Sequence, residues 1–222
     1  ADQEEVAQVV ASYNLLAIPV VNEEHKLVGV ITVDDVIDVI KDEATEDINR
    51  LAGVAGDEHV FTPPGEALRK RLPWLAINLG TAVLAAGVVS LFQDTIKEVV
   101  ALAVFMPVVA GMGGNAATQT LTVTVRGIAL GELTWGNSRK ALIKEVLVGL
   151  GNGLILGFVA AGVAWAMAGD PVLGLILGLA MVLNMVVAAT AGTLIPIVLR
   201  ALKVDPALAS SVFITTLTDI FG

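Results

Sequence analysis

Four segments of this chain are each long enough and apolar enough to fill a lipid bilayer, and this decides most of what it can become. They run over residues 73–92 ("PWLAINLGTAVLAAGVVSLF"), 98–124, 142–168 and 172–199. A helix needs about 20 apolar residues to cross about 30 Å of hydrocarbon. A fifth apolar segment starts near residue 206 and reaches Gly222. Its length of about 17 residues is marginal for a crossing, so a truncated last helix is expected. The expected fold is mostly α. A polytopic five-helix membrane domain fills 73–222, a partial α/β unit fills 1–45, and an acidic segment with a connecting helix fills 46–72.

Charge divides the chain in the same place. Residues 1–66 hold fifteen Asp and Glu against Lys26, Lys41 and Arg50, a net of −12, while the remainder nets +3. An acidic soluble head therefore precedes an apolar body, whose content lifts the hydrophobic fraction to 55%, above that of ordinary soluble domains. There is no cysteine, which excludes disulfides, thiolate metal sites and cysteine nucleophiles. No signal peptide is expected at residue 1, where an acidic, helix-like stretch begins. Nine of the ten basic residues after position 66 fall before the first segment, between the second and third (counting Lys144, at the very start of the third), or between the fourth and fifth. Basic residues collect in cytoplasmic loops. The head is therefore expected on the cytoplasmic side, with the fifth helix running outward.

Small residues mark where helices can meet. Gly149, Gly153 and Gly157 recur every four residues, as do Gly174 and Gly178. Such seams let helix backbones approach closely where lipid offers no hydrophobic drive.

Against this background Asp219, in "SVFITTLTDIFG", needs a reason. A carboxylate at membrane depth costs about 2.5–3.5 kcal/mol on insertion scales and usually faces a bundle interior or water. Ser211, Thr215, Thr218, Asp219 and Gly222 share one helix face by their spacing. Two readings follow: an Asp hydrogen-bonded to a neighbouring helix, or a cation site lining a pore. The second segment offers a matching wall. In "MPVVAGMGGNAATQTLT" Pro107 lacks an N–H and frees a carbonyl, glycines bare the backbone, and the helix is expected to lose regularity. Gly111, Asn115 (with Gly114 beside it), Thr118 and Thr122 fall on one face. Irregular polar backbone is tolerated in a membrane where protein buries it or water reaches it. A carboxylate, amide and hydroxyl oxygens and free carbonyls, with no basic residue at mid-depth, describe a path for a hard cation. One Asp per subunit, doubled by a two-fold axis, suits hydrated Mg²⁺. Composition equally allows Mn²⁺, Co²⁺, Ca²⁺ or a proton.

The head reads as helix, strand ("AIPVVN"), turn ("NEEHK"), strand ("KLVGVITV") and helix ("VDDVIDVIK"). Thr32 and Asp35 have capping-box spacing, with Asp in place of Glu or Gln. The run "GVITVDD", an apolar strand ending Gly-x-x-Thr-x-x-Asp, resembles a CBS motif. CBS motifs work in pairs and one is present, so the chain is expected to begin inside a larger regulatory region. Asp35 and Asp38 lie one turn apart, and Glu43, Glu46 and Asp47 follow. Acids this dense repel unless solvent or a cation screens them; spacing alone allows a solvated face or a cation site. In "TPPGEALRKRL", Thr62 is the expected N-cap and Pro63 the first helical residue of the connecting helix.

Together, the CBS unit, "EATEDI", the connecting helix, "MPVVAGMGGNAATQ" and "TTLTDIFG" resemble the MgtE magnesium transporter family over nearly the whole chain. The resemblance implies a homodimeric, Mg²⁺-selective, channel-like pore in the cell (inner) membrane, with Asp219 holding hydrated Mg²⁺. It implies regulatory Mg²⁺ sites in the head, where Asp2, Glu4, Asp35, Asp38, Glu43, Glu46 and Asp47 match the family's acids. Asp205, at the cytoplasmic mouth, is a further match; its alternative reading is an N-cap before Pro206. Asn14 departs from the pattern, which has an acid there. Some members bind ATP at the CBS pair, which makes Thr32 and Asp35 the candidate contacts. The implied mechanism is electrostatic. At low Mg²⁺ the acids repel and the pore opens; at high Mg²⁺ the ions bridge them and the connecting helices shut it. Competing expectations are a proton- or sodium-coupled divalent transporter and a CBS-bearing membrane sensor without transport. No enzyme is expected, because the sequence has no nucleophile–base constellation near the polar stripe. No nucleic-acid partner is expected.

Overall fold

The structure, a computed structural model, describes residues 3–56, 58–208 and 211–222. The head begins with helix α1 (Gln3–Tyr13), strands β1 (Ala17–Val21) and β2 (Leu27–Thr32), and helix α2 (Val33–Leu51). The strands pair antiparallel, Ala17 opposite Thr32, with a register irregularity at Val20/Val21. Asn22 shapes the turn by accepting the Glu24 and Lys26 amides on Oδ1 at 3.0 and 2.9 Å. Ala7 and Val10 of α1 and Val36 of α2 form the head's core against Ile18 and Ile31 of the strands. Asn14 closes α1 at φ 50°. Asn is among the few residues that take this left-handed conformation cheaply, which gives it a local reason to stand there.

The capping box is present: Asp35 Oδ2 accepts the Thr32 amide at 3.2 Å and the Thr32 hydroxyl at 2.9 Å. From that start α2 runs unbroken to Leu51, so the expected boundary between residues 45 and 46 falls inside one helix. The connecting helix and first membrane segment are likewise a single helix, α3 (Pro64–Ser90), continuous through Pro73. The N-cap is Pro63, one residue later than expected. The Thr62 hydroxyl instead accepts the His59 amide at 3.0 Å.

A short helix α4 (Gln93–Glu98) leads to α5 (Ala101–Ala129), α6 (Ser138–Ala168) and α7 (Pro171–Ala201). Gly169 ends α6 at φ 71°, a conformation that favours glycine. Asp170 then caps α7 by accepting the Val172 amide at 2.8 Å. Among the described residues four helices, α3, α5, α6 and α7, are long and apolar enough to cross a membrane. The fifth segment differs from expectation. Residues 206–208 form a 3-10 turn capped by Asp205, and the final helix α8 (Ser211–Phe221) has 11 residues.

Helix α7 is the hub of the apolar body. Its Ala188 and Ala191 pack with Ala117, Leu121 and Val125 of α5, and with Ala207 and Ile214. Its Leu177, Met181 and Met185 pack with Phe105 and Val109 of α5 and Ala164 of α6. The expected glycine seam joins α6 to α7. A Cβ on Gly157 would stand 2.7 Å from the Gly178 carbonyl oxygen, one on Gly153 2.9 Å from Val182 Cα, and one on Gly174 2.6 Å from the Ala161 carbonyl oxygen. By contrast, none of the residues of α3 is buried.

Candidate cation site

The polar segment of α5 corrects one expectation. It is regular α-helix through Pro107 and all its glycines, so its carbonyls are largely committed to the helix. The glycines instead admit α8. A Cβ on Gly114 would lie 3.2 Å from Thr215 Cγ2, and one on Gly113 3.2 Å from Thr218 Cβ. Thr215 and Thr218 are therefore turned into the α5–α8 contact, and Thr218 is fully buried. Their hydroxyls donate within α8, Thr215 to the Val212 carbonyl at 3.1 Å and Thr218 to the Thr215 carbonyl at 2.8 Å. On α5 the Thr118 hydroxyl donates to the Gly114 carbonyl at 2.9 Å, and that of Thr122 to the Thr118 carbonyl at 2.9 Å.

Asp219, the residue after Thr218, is exposed on this chain, as are Gly111 and Asn115, while Gly114 is buried. Among the described residues the Asp219 carboxylate has no hydrogen-bond or ion-pair partner. The reading of Asp219 as an acid pinned by a neighbouring helix therefore finds no partner here. Its depth can be placed from α7. Asn184 lies near the middle of that 31-residue helix, and a Cβ on Gly222 would stand 2.7 Å from Asn184 Nδ2. The turn carrying Asp219 is thus level with the centre of α7.

The acids of the head divide into two groups. Asp35 and Asp38 are exposed on the first half of α2. Glu43, Glu46 and Asp47, all half-buried, gather near the end of α2, where Arg50 pairs with both Glu46 and Asp205. Asp205 also accepts the Ala207 amide on Oδ1 at 2.8 Å, so it does act as a cap. Burial, and then the charges of Asp205 and Glu43, push the Asp47 carboxyl up to about 6, against the pull of Arg50. Asp2 lies outside the described residues, and so does the side chain of Glu4. Among the described residues no three acidic or histidine side chains converge closely enough to hold a metal ion.

The Asp47 shift has a measurable sign. Its carboxyl binds a proton more tightly folded than unfolded, so its favourable contribution is full below the ordinary value of 3.8 and is lost as pH climbs through about 6. In chelator, Asp47→Asn is expected to flatten the fall in head stability over that window. Thermal melts from pH 4 to 7 check this; parallel slopes in the two proteins would count against it.

Three groups were not singled out from sequence. Arg50 read as one cation in an acidic run, although its i+4 spacing from Glu46 was a signal. Glu145, buried in α6, is held by Lys144 at 2.5 Å and by the Thr120 hydroxyl at 3.4 Å. Its signal was the Lys–Glu pair inside an apolar segment. Asn184 is 2% exposed and donates from Nδ2 to the Val109 carbonyl at 2.9 Å.

Residues 106–222 match the family described as "MgtE: Divalent cation transporter", and residues 1–42 match the CBS domain. Among curated proteins, a "Magnesium transporter MgtE" of Bacillus subtilis is 41% identical over 221 residues, covering 100% of this chain and 49% of the relative. Proteins of the same name from Enterococcus faecalis (42% identical, 99% of this chain, 48% of the relative) and Thermus thermophilus (40%, 100% and 49%) align similarly. The chain spans about half the length of the curated relatives it matches.

Proposed function

Because this chain belongs to the MgtE family of divalent cation transporters, we propose that it conducts Mg²⁺ passively through a membrane pathway at which Asp219 is the recognition charge. One observation carries the reading: a carboxylate with no partner among the described residues, level with the centre of a long apolar helix. A negative side chain at that depth is stabilised by water, a cation or both. Asn115, exposed on α5, supplies a side-chain amide, and Gly111, Gly114 and Thr118 are the other α5 residues of this set. Mg²⁺ holds its waters tightly and is commonly bound through one or two carboxylates. A homodimer presenting two Asp219 side chains to one axis meets that demand. The pathway runs through the cell membrane, with the head on the cytoplasmic side where the basic loops gather. The names of the relatives support Mg²⁺ as the ion.

Regulation by cytosolic Mg²⁺ is part of the proposal. Of four half-buried carboxylates in this region, Arg50 pairs with Glu46 and Asp205 and its charge acts on Asp47, as does that of Glu43; one guanidinium leaves an excess of negative charge that a divalent cation would relieve. Asp2, Glu4, Asp35 and Asp38 are the remaining acids of this set. Arg50 ties the head to the turn before α8, and Leu51 packs against the buried cluster to which Ala207 and Ile214 belong. Relief of charge at the head therefore acts on the segment leading to Asp219. ATP at the CBS unit, through Thr32 and Asp35, would be a second input.

The test is Mg²⁺ flux into liposomes holding the purified protein, across a gradient and at several values of pH. A flux that follows membrane voltage and ignores pH is expected. Proton-coupled uptake would replace the channel reading, and absence of flux would leave a sensor. Arg50→Gln is expected to loosen the head by about 1 kcal/mol, the scale of a partly exposed ion pair. Faster proteolysis of the head at low salt, less so at high salt, reads it out; equal cleavage at both would refute it.

A further inference from the structure

We propose that Asn184 is a positioning residue for this pathway: its buried amide clasps α7 to α5 at the notch that receives the end of α8, and thereby fixes where Asp219 stands. The functional half of this inference rests on the transport reading above; the clasp itself does not.

The amide occupies a notch that two glycines leave open. A Cβ on Gly113 of α5 would lie 2.2 Å from Asn184 Nδ2, and one on Gly222, just past α8, 2.7 Å from the same atom. The Gly222 position would also stand 2.7 Å from the Thr218 carbonyl oxygen, while the Gly113 position lies 3.2 Å from Thr218 Cβ. Asn184 therefore sits where α5, α7 and the last turn of α8 converge, and Asp219 belongs to that turn. Nδ2 donates to the Val109 carbonyl of α5, and Oδ1 is buried without a donor among the described residues. An unpaired amide oxygen at membrane depth is costly, and an apolar side chain of similar volume would avoid that cost. What the amide adds is one directional bond from α7 to α5 beside the end of α8, which fixes the seat that α8 packs into, and so its separation from α5, in a way that dispersion contacts do not.

The absence of native cysteine makes the separation measurable. An ideal Cβ at Gly114 lies 3.7 Å from Thr215 Cβ, within the range of about 3.5–4.5 Å that a disulfide requires. In a Gly114→Cys/Thr215→Cys background, Asn184→Ala is expected to slow disulfide formation several-fold. In the otherwise unaltered protein, Asn184→Ala is expected to raise the Mg²⁺ concentration for half-maximal liposome flux about tenfold, the equivalent of one internal hydrogen bond. Asn184→Ala/Gly113→Ala refills the notch without restoring that bond. Slow cross-linking and a raised half-saturation in this double variant support the clasp. Recovery of both would show that packing alone matters and would overturn it. Undiminished cross-linking in Asn184→Ala overturns it as well, and slowed cross-linking with unchanged half-saturation overturns its functional half. If the unaltered protein carries no Mg²⁺, the transport reading falls while cross-linking still decides the clasp.

Discussion

Asp219→Asn is expected to reduce Mg²⁺ passage by at least about a hundredfold while leaving a protein that folds and purifies like the parent. The substitution preserves size and hydrogen-bonding capacity and removes only charge. Two unit charges about 4 Å apart are worth about 4 kcal/mol at an effective dielectric of 20, and a divalent ion doubles the attraction before intervening water weakens it. Retaining even about 3 kcal/mol of that difference accounts for two decades of rate. Folding should be spared because the carboxylate has no partner among the described residues. Flux assays paired with size-exclusion profiles decide the matter. Parental flux in Asp219→Asn would remove charge as the recognition element, and Asp219→Ala would then report on packing alone.

The second large effect concerns the scaffold. Gly157→Leu is expected to prevent α6 and α7 from packing, and Gly157→Ala to cost about 1–3 kcal/mol, the usual penalty for overfilling a tight contact. The obstacle is backbone: the Gly178 carbonyl oxygen lies 2.7 Å from the new methyl position, and neither helix can yield locally. Gly151 and Gly162 of the same helix provide the control, since a Cβ there meets nothing within 4 Å of this chain. Gly151→Ala and Gly162→Ala should melt at or slightly above the parental temperature, through better helix propensity. Equal destabilisation by all four substitutions would mean that the glycines serve flexibility and that the seam does not matter.

Much of this architecture was legible in the sequence for simple reasons. Four-residue glycine spacing in an apolar run marks a close helix contact whatever the partner. Thr32 and Asp35 announce a helix start because the capping bonds are local. The spans follow from hydrocarbon thickness. Illegible features depend on what arrives from elsewhere in the chain. Periodicity puts Thr215, Thr218 and Asp219 on one stripe, but it does not say what covers each of them. Gly113 and Gly114 admit the two threonines and leave Asp219 outside. The glycine- and proline-bearing part of α5 suggested broken helix from local propensity. Packing against α7 and α8 holds it regular, a tertiary override of propensity. Arg50 and Asp205 are 155 positions apart, so no local pattern could pair them.

The unbroken course of α3 has a mechanical consequence. At 1.5 Å per residue its 27 residues make a stiff rod about 40 Å long. Near its first third, Arg71 is gripped by the buried Glu58 at 2.5 Å. A rod held there has a short arm toward the head and a long arm inside the bilayer. Small displacements at the near end emerge enlarged at the far one, where a jointed connection would have absorbed them.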